Sequence, residues 1–173
     1  MSFSFIDRLR TFSACLGIAL LAAGPAQAQL PTTVDIDLVQ GVGANDLDVM
    51  MRANGNSFNE VISNLVFTVR WPDTSPATLG IGSSSWCTGN AFPIGPSSMQ
   101  TPGNGFKYRT WNSVAILALN DVDNGGCGAS LPAGQWVKVY TITVANNAGC
   151  TTFNIANDTY TGANNRNFFI SLN

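Results

Sequence analysis

Apolar and polar residues alternate along most of this chain, most clearly in the stretch NLVFTVRWPDTSPATLG (64–80). Its odd-numbered positions from Leu65 to Trp71 are apolar, its even-numbered positions are mixed, and Pro72 interrupts the run. A period of two with one apolar face is typical of a β-strand that packs against a core. The pattern therefore predicts a strand that ends at Pro72, with Trp71 buried at its tip.

The same alternation recurs in short segments that are separated by glycine, asparagine, serine and proline. Regularly spaced short strands with turn signals are typical of an all-β sandwich or barrel, and we predict about eight or nine strands in one antiparallel domain. No stretch long enough for a regular helix shows convincing helical periodicity. The predicted strands cover residues 33–40, 47–53, 60–71, 77–86, 106–111 with 113–120, 135–144, 150–157 and 166–173. Long loops are predicted at 87–105 and 121–134.

The N-terminal segment 1–28 has the pattern of an export signal. Two arginines precede an apolar run at 12–24, and a small-x-small cleavage sequence follows at 26–28. The apolar run is shorter than the roughly 20 residues that cross a bilayer, so an uncleaved membrane anchor is the less favoured alternative. We expect cleavage before Gln29, a β-sandwich domain at 29–173, and a secreted or cell-surface location, with the periplasm as the alternative.

Charge is sparse and slightly negative after residue 28, where nine acidic and six basic residues accompany 18 asparagines. Such a surface is solvated by amides and hydroxyls, which suits an extracellular β-protein rich in turns. The sequence has no stripe of basic residues, so we expect no nucleic-acid partner.

Histidine is absent from the sequence. This removes the usual base of serine and cysteine nucleophiles and the commonest ligand of transition metals. A glycosidase built on two carboxylates is the remaining enzyme hypothesis. However, the pairs Asp35/Asp37 and Asp46/Asp48 more often indicate solvated strand faces, and Glu60 is the single glutamate. We therefore expect no catalytic activity.

The segment NDVDNGG (120–126) places Asp121, Asp123 and Asn124 in a glycine turn. Closely spaced oxygens of this kind are what calcium requires. An EF-hand pattern is not met, because Gly125 occupies the third oxygen position and no glutamate closes the loop. The favoured interpretation is a turn rich in Asx residues, with a weak calcium site as the alternative. Calcium is the one cofactor that the sequence suggests.

Tryptophans are the candidate ligand platforms, because exposed aromatic rings hold sugars by stacking and by excluding water. The chain has Trp71, Trp86, Trp111 and Trp136. Trp111 shares strand parity with Lys107 and Arg109, which predicts that its ring points outward. We therefore predict a ligand-binding surface made of these three residues. Both faces of the segment 135–144 are apolar, so parity does not decide the orientation of Trp136.

Three cysteines follow the export signal, namely Cys87, Cys127 and Cys150, and Cys15 is removed with that signal. An oxidising compartment favours one disulfide and one odd thiol. If the segment 135–144 crosses the sandwich once, Cys127 and Cys150 lie near opposite ends, and Cys87 is the common partner. Cys87–Cys127 and Cys87–Cys150 both remain open, with a slight preference for the first.

A further signal lies in the segments VISNLVFTVRWP (61–72), TLG (78–80), GQWVKVYTITV (134–144) and NFFISLN (167–173). Their strand patterns and turns resemble cohesin-like and carbohydrate-module-like β-sandwich domains in secreted or surface proteins of bacteria that use type IX secretion. The resemblance implies a jelly-roll sandwich of about nine strands, used for binding or assembly at the surface of a Gram-negative bacterium. It includes no catalytic signature, and it assigns no binding residue to this chain.

Two functional hypotheses follow. The first is a secreted, non-catalytic adhesion or assembly module whose partner is a protein or a polysaccharide at the cell surface. The odd cysteine and the terminal strand at 166–173 offer contacts for self-association. The second hypothesis is a carbohydrate-binding module, which requires at least two exposed aromatic residues in line, with Trp111 among them.

Overall fold

A computed structural model describes residues 29–88, 90–147 and 149–173. The predicted export signal at 1–28, with Cys15, lies outside the described residues. In the described part of the chain two antiparallel sheets enclose a common core, so the predicted β-sandwich is confirmed. No helix in this part has both the length and the apolar character needed to cross a membrane.

The described residues form nine strands, β1 to β9, and one short helix, α1. The strands lie at Thr33–Gln40, Asp46–Asn54, Ile62–Pro72, Thr78–Leu79, Ile94–Pro96, Phe106–Ser113, Val137–Ala145, Asn154–Ile155 and Phe169–Leu172. Helix α1 lies at Thr159–Ala163, and a single turn of 3-10 helix lies at Val122–Asn124. Strands β1, β2, β3 and β7 agree with predicted strands to within two residues at each end.

The strands form two sheets. Sheet 1 has the order β1-β2-β7-β4, and sheet 2 has the order β5-β6-β3-β8. Strand β3 is the centre of sheet 2, because β6 pairs with its Leu65–Pro72 portion along one side. Strands β8 and β9 share its other side, where β9 pairs within Ile62–Val66 and β8 pairs with Val69 and Arg70.

The core lies between the inward faces of the two sheets, and strands β2 and β3 each supply an alternating row of its buried side chains. Alternate residues of both strands are buried, as expected for strands with one face toward the core. These residues are Leu47, Val49, Met51 and Ala53 on β2, and Leu65, Phe67, Val69 and Trp71 on β3. The predicted burial of Trp71 is therefore confirmed.

A β-bulge in β7 explains why both faces of this segment are apolar. Val49 pairs with Tyr140 and Met50 pairs with Lys138, so Val139 is an extra residue between them. An extra residue reverses the alternation of side chains on the two faces. Val137 therefore faces inward before the bulge, and Tyr140, with the alternate residues after it, faces inward beyond it.

Several predicted strands are shorter than expected, and the strand predicted at 113–120 is wrong. Strand β6 ends at Ser113, and the chain then continues without strand structure. It is anchored instead by two backbone bonds, from Leu119 N to Glu60 O and from Asn120 N to Asn59 O. The segment predicted at 77–86 keeps only β4, and the one at 150–157 keeps only β8. The region predicted as a loop at 87–105 contains β5.

The disulfide joins Cys87 to Cys127, which confirms the preferred pairing. Cys87 is buried and Cys127 packs against the core, so the bond ties two loops to the sandwich. Cys150 is a free and exposed thiol in the described part of the chain.

Replacing Cys87 and Cys127 by alanine should lower the free energy of unfolding. The two residues are 40 positions apart, and releasing a loop of this size costs about 3–4 kcal/mol through the entropy of the unfolded chain. Urea denaturation without reductant measures the change. Cys150→Ala is the control and should leave the midpoint unchanged, since this thiol is exposed. A double variant as stable as the parent would contradict the prediction.

Candidate functional site

The predicted ligand-binding residues Trp111, Lys107 and Arg109 do share one face of β6, but that face points into the sandwich. Trp111 is 0% exposed and stacks on Phe67, with ring centroids 5.6 Å apart and planes 5° from parallel. The predicted outward orientation of Trp111 is therefore wrong. A ring without an exposed face cannot serve as a platform for a ligand.

The polar ends of these side chains bind a row of backbone carbonyls in the extended segment 75–81. The acceptors are alternate residues, Ser75, Ala77, Leu79 and Ile81, which we call the carbonyl row. Lys107 Nζ donates to Ser75 O (2.6 Å), Trp71 Nε1 to Ala77 O (2.9 Å), Arg109 Nη1 to Leu79 O, and Trp111 Nε1 to Ile81 O (3.3 Å). Carbonyls of alternate residues in an extended strand point to the same side, so inward side chains of β3 and β6 can reach them together.

The carbonyl row explains why two cations lie on the inward face of β6. Strand β4 lies within this segment and pairs with β7 along one side only. On the other side of β4 no strand pairs with the backbone carbonyls. A buried carbonyl without a hydrogen-bond partner costs about 1–3 kcal/mol. Lys107 and Arg109 satisfy these groups from sheet 2. Sequence parity grouped the three residues correctly, but their charge was taken as a sign of exposure.

Two of the three predicted calcium-binding residues, Asp121 and Asn124, form hydrogen bonds with each other. Asn124 Nδ2 donates to both carboxylate oxygens of Asp121, at 3.0 and 2.9 Å. Gly126 N donates to Asp121 O at 2.6 Å, which closes the turn. Asp123 is exposed beside them. In the described ranges no group of three or more carboxylate, cysteine or histidine side chains could hold a metal. These contacts close the turn from within, and calcium binding stays a prediction.

The most exposed tryptophan is Trp136, which directly precedes β7 on the outward face of sheet 1. It keeps 41% of its surface exposed. The Arg52 guanidinium lies over its ring, 4.6 Å from the centroid, and also bonds to Asp35 Oδ2 at 2.6 Å. The hydrogen bond from Arg52 is the main cause that holds the pKa of Asp35 below its usual value. Three neighbouring strands thus orient one exposed ring.

The next residues on this face add an apolar and a cationic side chain. Met50 on β2 pairs directly with Lys138 on β7, and Lys138 Nζ lies 3.5 Å from Asp48 Oδ2. We call Asp35, Met50, Arg52, Trp136 and Lys138 the Trp136 surface. Its ion-paired side chains each keep more than a third of their area exposed. Sequence reasoning missed this surface because the bulge at Val139 reverses the parity of the side chains. The adjacent apolar residues Val139 and Tyr140 were the sequence signal that could have revealed the bulge.

The outward face of sheet 2 is covered by the chain that follows β8. Asp158 caps α1 by accepting from Thr161 N (3.0 Å), and it also accepts from Arg70 Nη1 (2.8 Å) and Tyr108 Oη (3.0 Å). Burial alone would raise the pKa of Asp158, but these hydrogen bonds outweigh it and hold the pKa below its usual value. Burial raises the pKa of Tyr108. We call Arg70, Tyr108, Asp158 and Thr161 the Asp158 cluster.

A second set of contacts extends this cover along β3. Thr68 Oγ1 donates to Arg166 O at 2.7 Å and lies 2.9 Å from Thr110 Oγ1. Both threonines are buried. Tyr160 packs on Tyr108, with ring centroids 4.4 Å apart. The chain from α1 to β9 is therefore held on sheet 2 by polar as well as aromatic contacts.

A groove remains open between this cover and strand β9, and it encloses about 400 Å3. We call it the β9 groove; its lining residues are Asn64, Val66, Gly162, Asn165, Asn167, Phe168 and Phe169. Phe169 is 54% exposed. Sequence reasoning did not identify the groove, because residues from β3, α1 and β9 meet there only after folding.

Comparisons with family models, with curated proteins and with solved structures gave no match to this chain.

Two tryptophan variants distinguish the core from the surface. Trp111→Ala should lower the free energy of unfolding by about 3–5 kcal/mol, because it empties a fully buried site. Trp136→Ala should lower it by only about 0.5–1 kcal/mol, the value of an exposed cation–π contact. Thermal or urea denaturation measures both. Equal losses in the two variants would show that the orientations are wrongly assigned.

The Asp158 cluster should make stability depend on acid pH. Because the pKa of Asp158 is lower when folded, its contribution is fully present above the unfolded value of 3.8 and is lost as the pH falls through the lower folded value. Asp158→Asn keeps a capping side chain but removes the charge, and should cost about 1 kcal/mol at neutral pH.

Denaturation of the parent and of Asp158→Asn as a function of pH checks this prediction. The gap between them should shrink as the pH falls below 3.8. Asp123→Asn serves as the control, because this carboxylate is exposed. A gap that stays constant down to strongly acid pH would contradict the proposed role of the Asp158 charge.

Proposed function

We propose that this protein is an exported, non-catalytic binding and assembly module with a jelly-roll sandwich, acting at the surface or in the matrix of a Gram-negative bacterium. Its partner is a protein or a polysaccharide of the cell surface. The export-signal pattern, the asparagine-rich and charge-poor composition and the disulfide all support this proposal.

The observation that carries the proposal is the Trp136 surface. Tryptophan, arginine and methionine are enriched at protein interfaces, and tryptophan and arginine dominate their binding energy. Here Trp136, Arg52 and Met50 lie side by side on a sheet face, and the ion pair with Asp35 limits the motion of the arginine. A partner that covers this face gains contact area at a low cost in side-chain entropy.

The absence of catalysis is supported by the chemistry of the chain. The sequence has no histidine, so the commonest general base is missing. Three carboxylates with partners, Asp35, Asp48 and Asp158, each pair with a cation. Hydrogen bonds from Arg52 and Arg70 help to keep the pKa values of Asp35 and Asp158 below the usual range, whereas a glycosidase acid must be protonated near neutral pH.

Self-association is one form of the assembly proposal. Strand β9 lies at an edge of sheet 2, and Cys150 offers an exposed thiol. Mass measurement under non-reducing conditions, with Cys150→Ser as the control, tests this form. A monomer at high protein concentration would count against it.

Carbohydrate binding is the second candidate function, and the exposure of Trp136 favours it. Trp111 no longer supports this function, since it is buried. A tryptophan that is 41% exposed on a sheet face can still stack against a sugar ring. In this case the ligand of the Trp136 surface is a polysaccharide rather than a protein.

Trp136→Ala separates these outcomes. We expect the parent protein to sediment with cells of the producing bacterium, and the variant to bind at least about tenfold more weakly, as is typical for a central tryptophan. Loss of binding to insoluble polysaccharides as well would favour the carbohydrate function. Ile116→Ala is the control, because it removes an exposed apolar side chain that lies outside both the Trp136 surface and the β9 groove. Unchanged binding by Trp136→Ala would sink the proposed site.

A further inference from the structure

The β9 groove combines an exposed aromatic ring with unpaired amides. Phe169 pairs directly with Val66 across β9 and β3, so their side chains lie on the same outward face of sheet 2. Val66 is half-buried and Phe169 is 54% exposed. Together they form an apolar floor and wall that solvent can reach.

The opposite wall presents amide groups. Asn167 Oδ1 accepts a hydrogen bond from Thr161 Oγ1 at 2.6 Å, which fixes the orientation of its side chain. Its Nδ2 faces Gly162, since a methyl group at Gly162 would lie 3.5 Å from it. Within the described ranges this Nδ2 and the side chains of Asn64 and Asn165 have no hydrogen-bond partner in the protein. These amides are free to bind a ligand.

The backbone holds Asn165 in a left-handed conformation, with φ of 53°. Its backbone N–H bonds to Gly162 O at 3.3 Å, so the turn after α1 sets the position of this side chain. Asparagine tolerates this conformation better than other residues with a side chain, and glycine adopts it without strain. A glycine at this position would therefore remove the amide and keep the turn.

The lining residues point to a neutral ligand with one apolar face. None of the seven residues that line the groove is charged, so an ionic ligand would find no counter-charge there. A hexose ring has a face of C–H groups that packs on an aromatic ring, and hydroxyl groups that pair with amides. A ligand without hydrogen-bonding groups would leave the amides without partners. The volume of about 400 Å3 suits one or two such rings.

We infer that the β9 groove is a binding site for neutral saccharides, in which Phe169 stacks on the sugar ring and Asn64, Asn165 and Asn167 bind its hydroxyls. The groove lies on sheet 2, whereas the Trp136 surface lies on sheet 1. The two sites are therefore independent, and the groove does not rest on the proposed function.

Titration of the protein with cellobiose, maltose and N,N′-diacetylchitobiose, followed by NMR of the side-chain amides, tests this inference. At least one sugar should shift the amide signals of Asn64, Asn165 and Asn167 in a saturable manner. Phe169→Ala should weaken binding about tenfold through loss of the stacked ring. Asn165→Gly should weaken it about fivefold through loss of one hydrogen bond.

Two controls make the result specific. Asn146 is the other described residue with a side chain in a left-handed conformation, at φ of 56°, and it lies outside the groove lining. Asn146→Gly should therefore leave sugar binding unchanged, and so should Ile116→Ala, which removes an exposed apolar side chain outside the groove. Failure of Trp136→Ala to bind cells, with sugar binding intact, would support both sites separately.

Three results would overturn the inference. The first is the absence of saturable shifts with all three disaccharides up to their solubility limits. The second is equal affinity in the parent, Phe169→Ala and Asn165→Gly, provided that either variant keeps the dispersed spectrum of a folded protein. The third is tighter binding of an uncharged apolar peptide or of a glucuronate disaccharide than of any neutral sugar.

Discussion

Side chains of sheet 2 bind the carbonyl row of segment 75–81, and the rest of the structure depends on this contact between the sheets. Trp71, Lys107, Arg109 and Trp111 all donate to it. Tyr140 from sheet 1 donates to Ile81 O as well, at 2.6 Å. A buried aromatic core requires partners for its N–H and O–H groups, and the same carbonyls need donors. Both needs are met at one place, so the Phe67–Trp111 stack can be fully buried.

The two outward faces of the sandwich differ, and this difference locates the candidate sites. On sheet 2 the chain after β8 covers β3 and β6, and the Asp158 cluster fastens it there. The cover leaves the β9 groove open. On sheet 1 the Trp136 surface keeps its charged and aromatic side chains accessible. Sheet 1 therefore offers accessible aromatic and charged side chains, and sheet 2 offers a groove lined by amides and aromatic rings.

Local pattern predicted much of the fold but little of the sites. Alternation located β1, β2, β3 and β7, and it buried Trp71 correctly, because a strand with one inward face repeats every two residues. Strand parity did not give the correct orientation where a bulge interrupts a strand or where charged side chains face inward. Trp111 was assigned to the wrong face because Lys107 and Arg109, which share its parity, are charged, although both cations donate to backbone carbonyls. Trp136 was undecided because of the bulge at Val139.

The sequence by itself determined the all-β class and the inward face of β3, because these depend on short-range periodicity, and it favoured the pairing Cys87–Cys127. Only the tertiary structure decided which aromatic rings are exposed and which polar groups are already satisfied. The reason is physical. The partners of Lys107 and Trp111 lie about 30 residues away along the chain, and the walls of the β9 groove come from segments that meet only when sheet 2 is closed by β9.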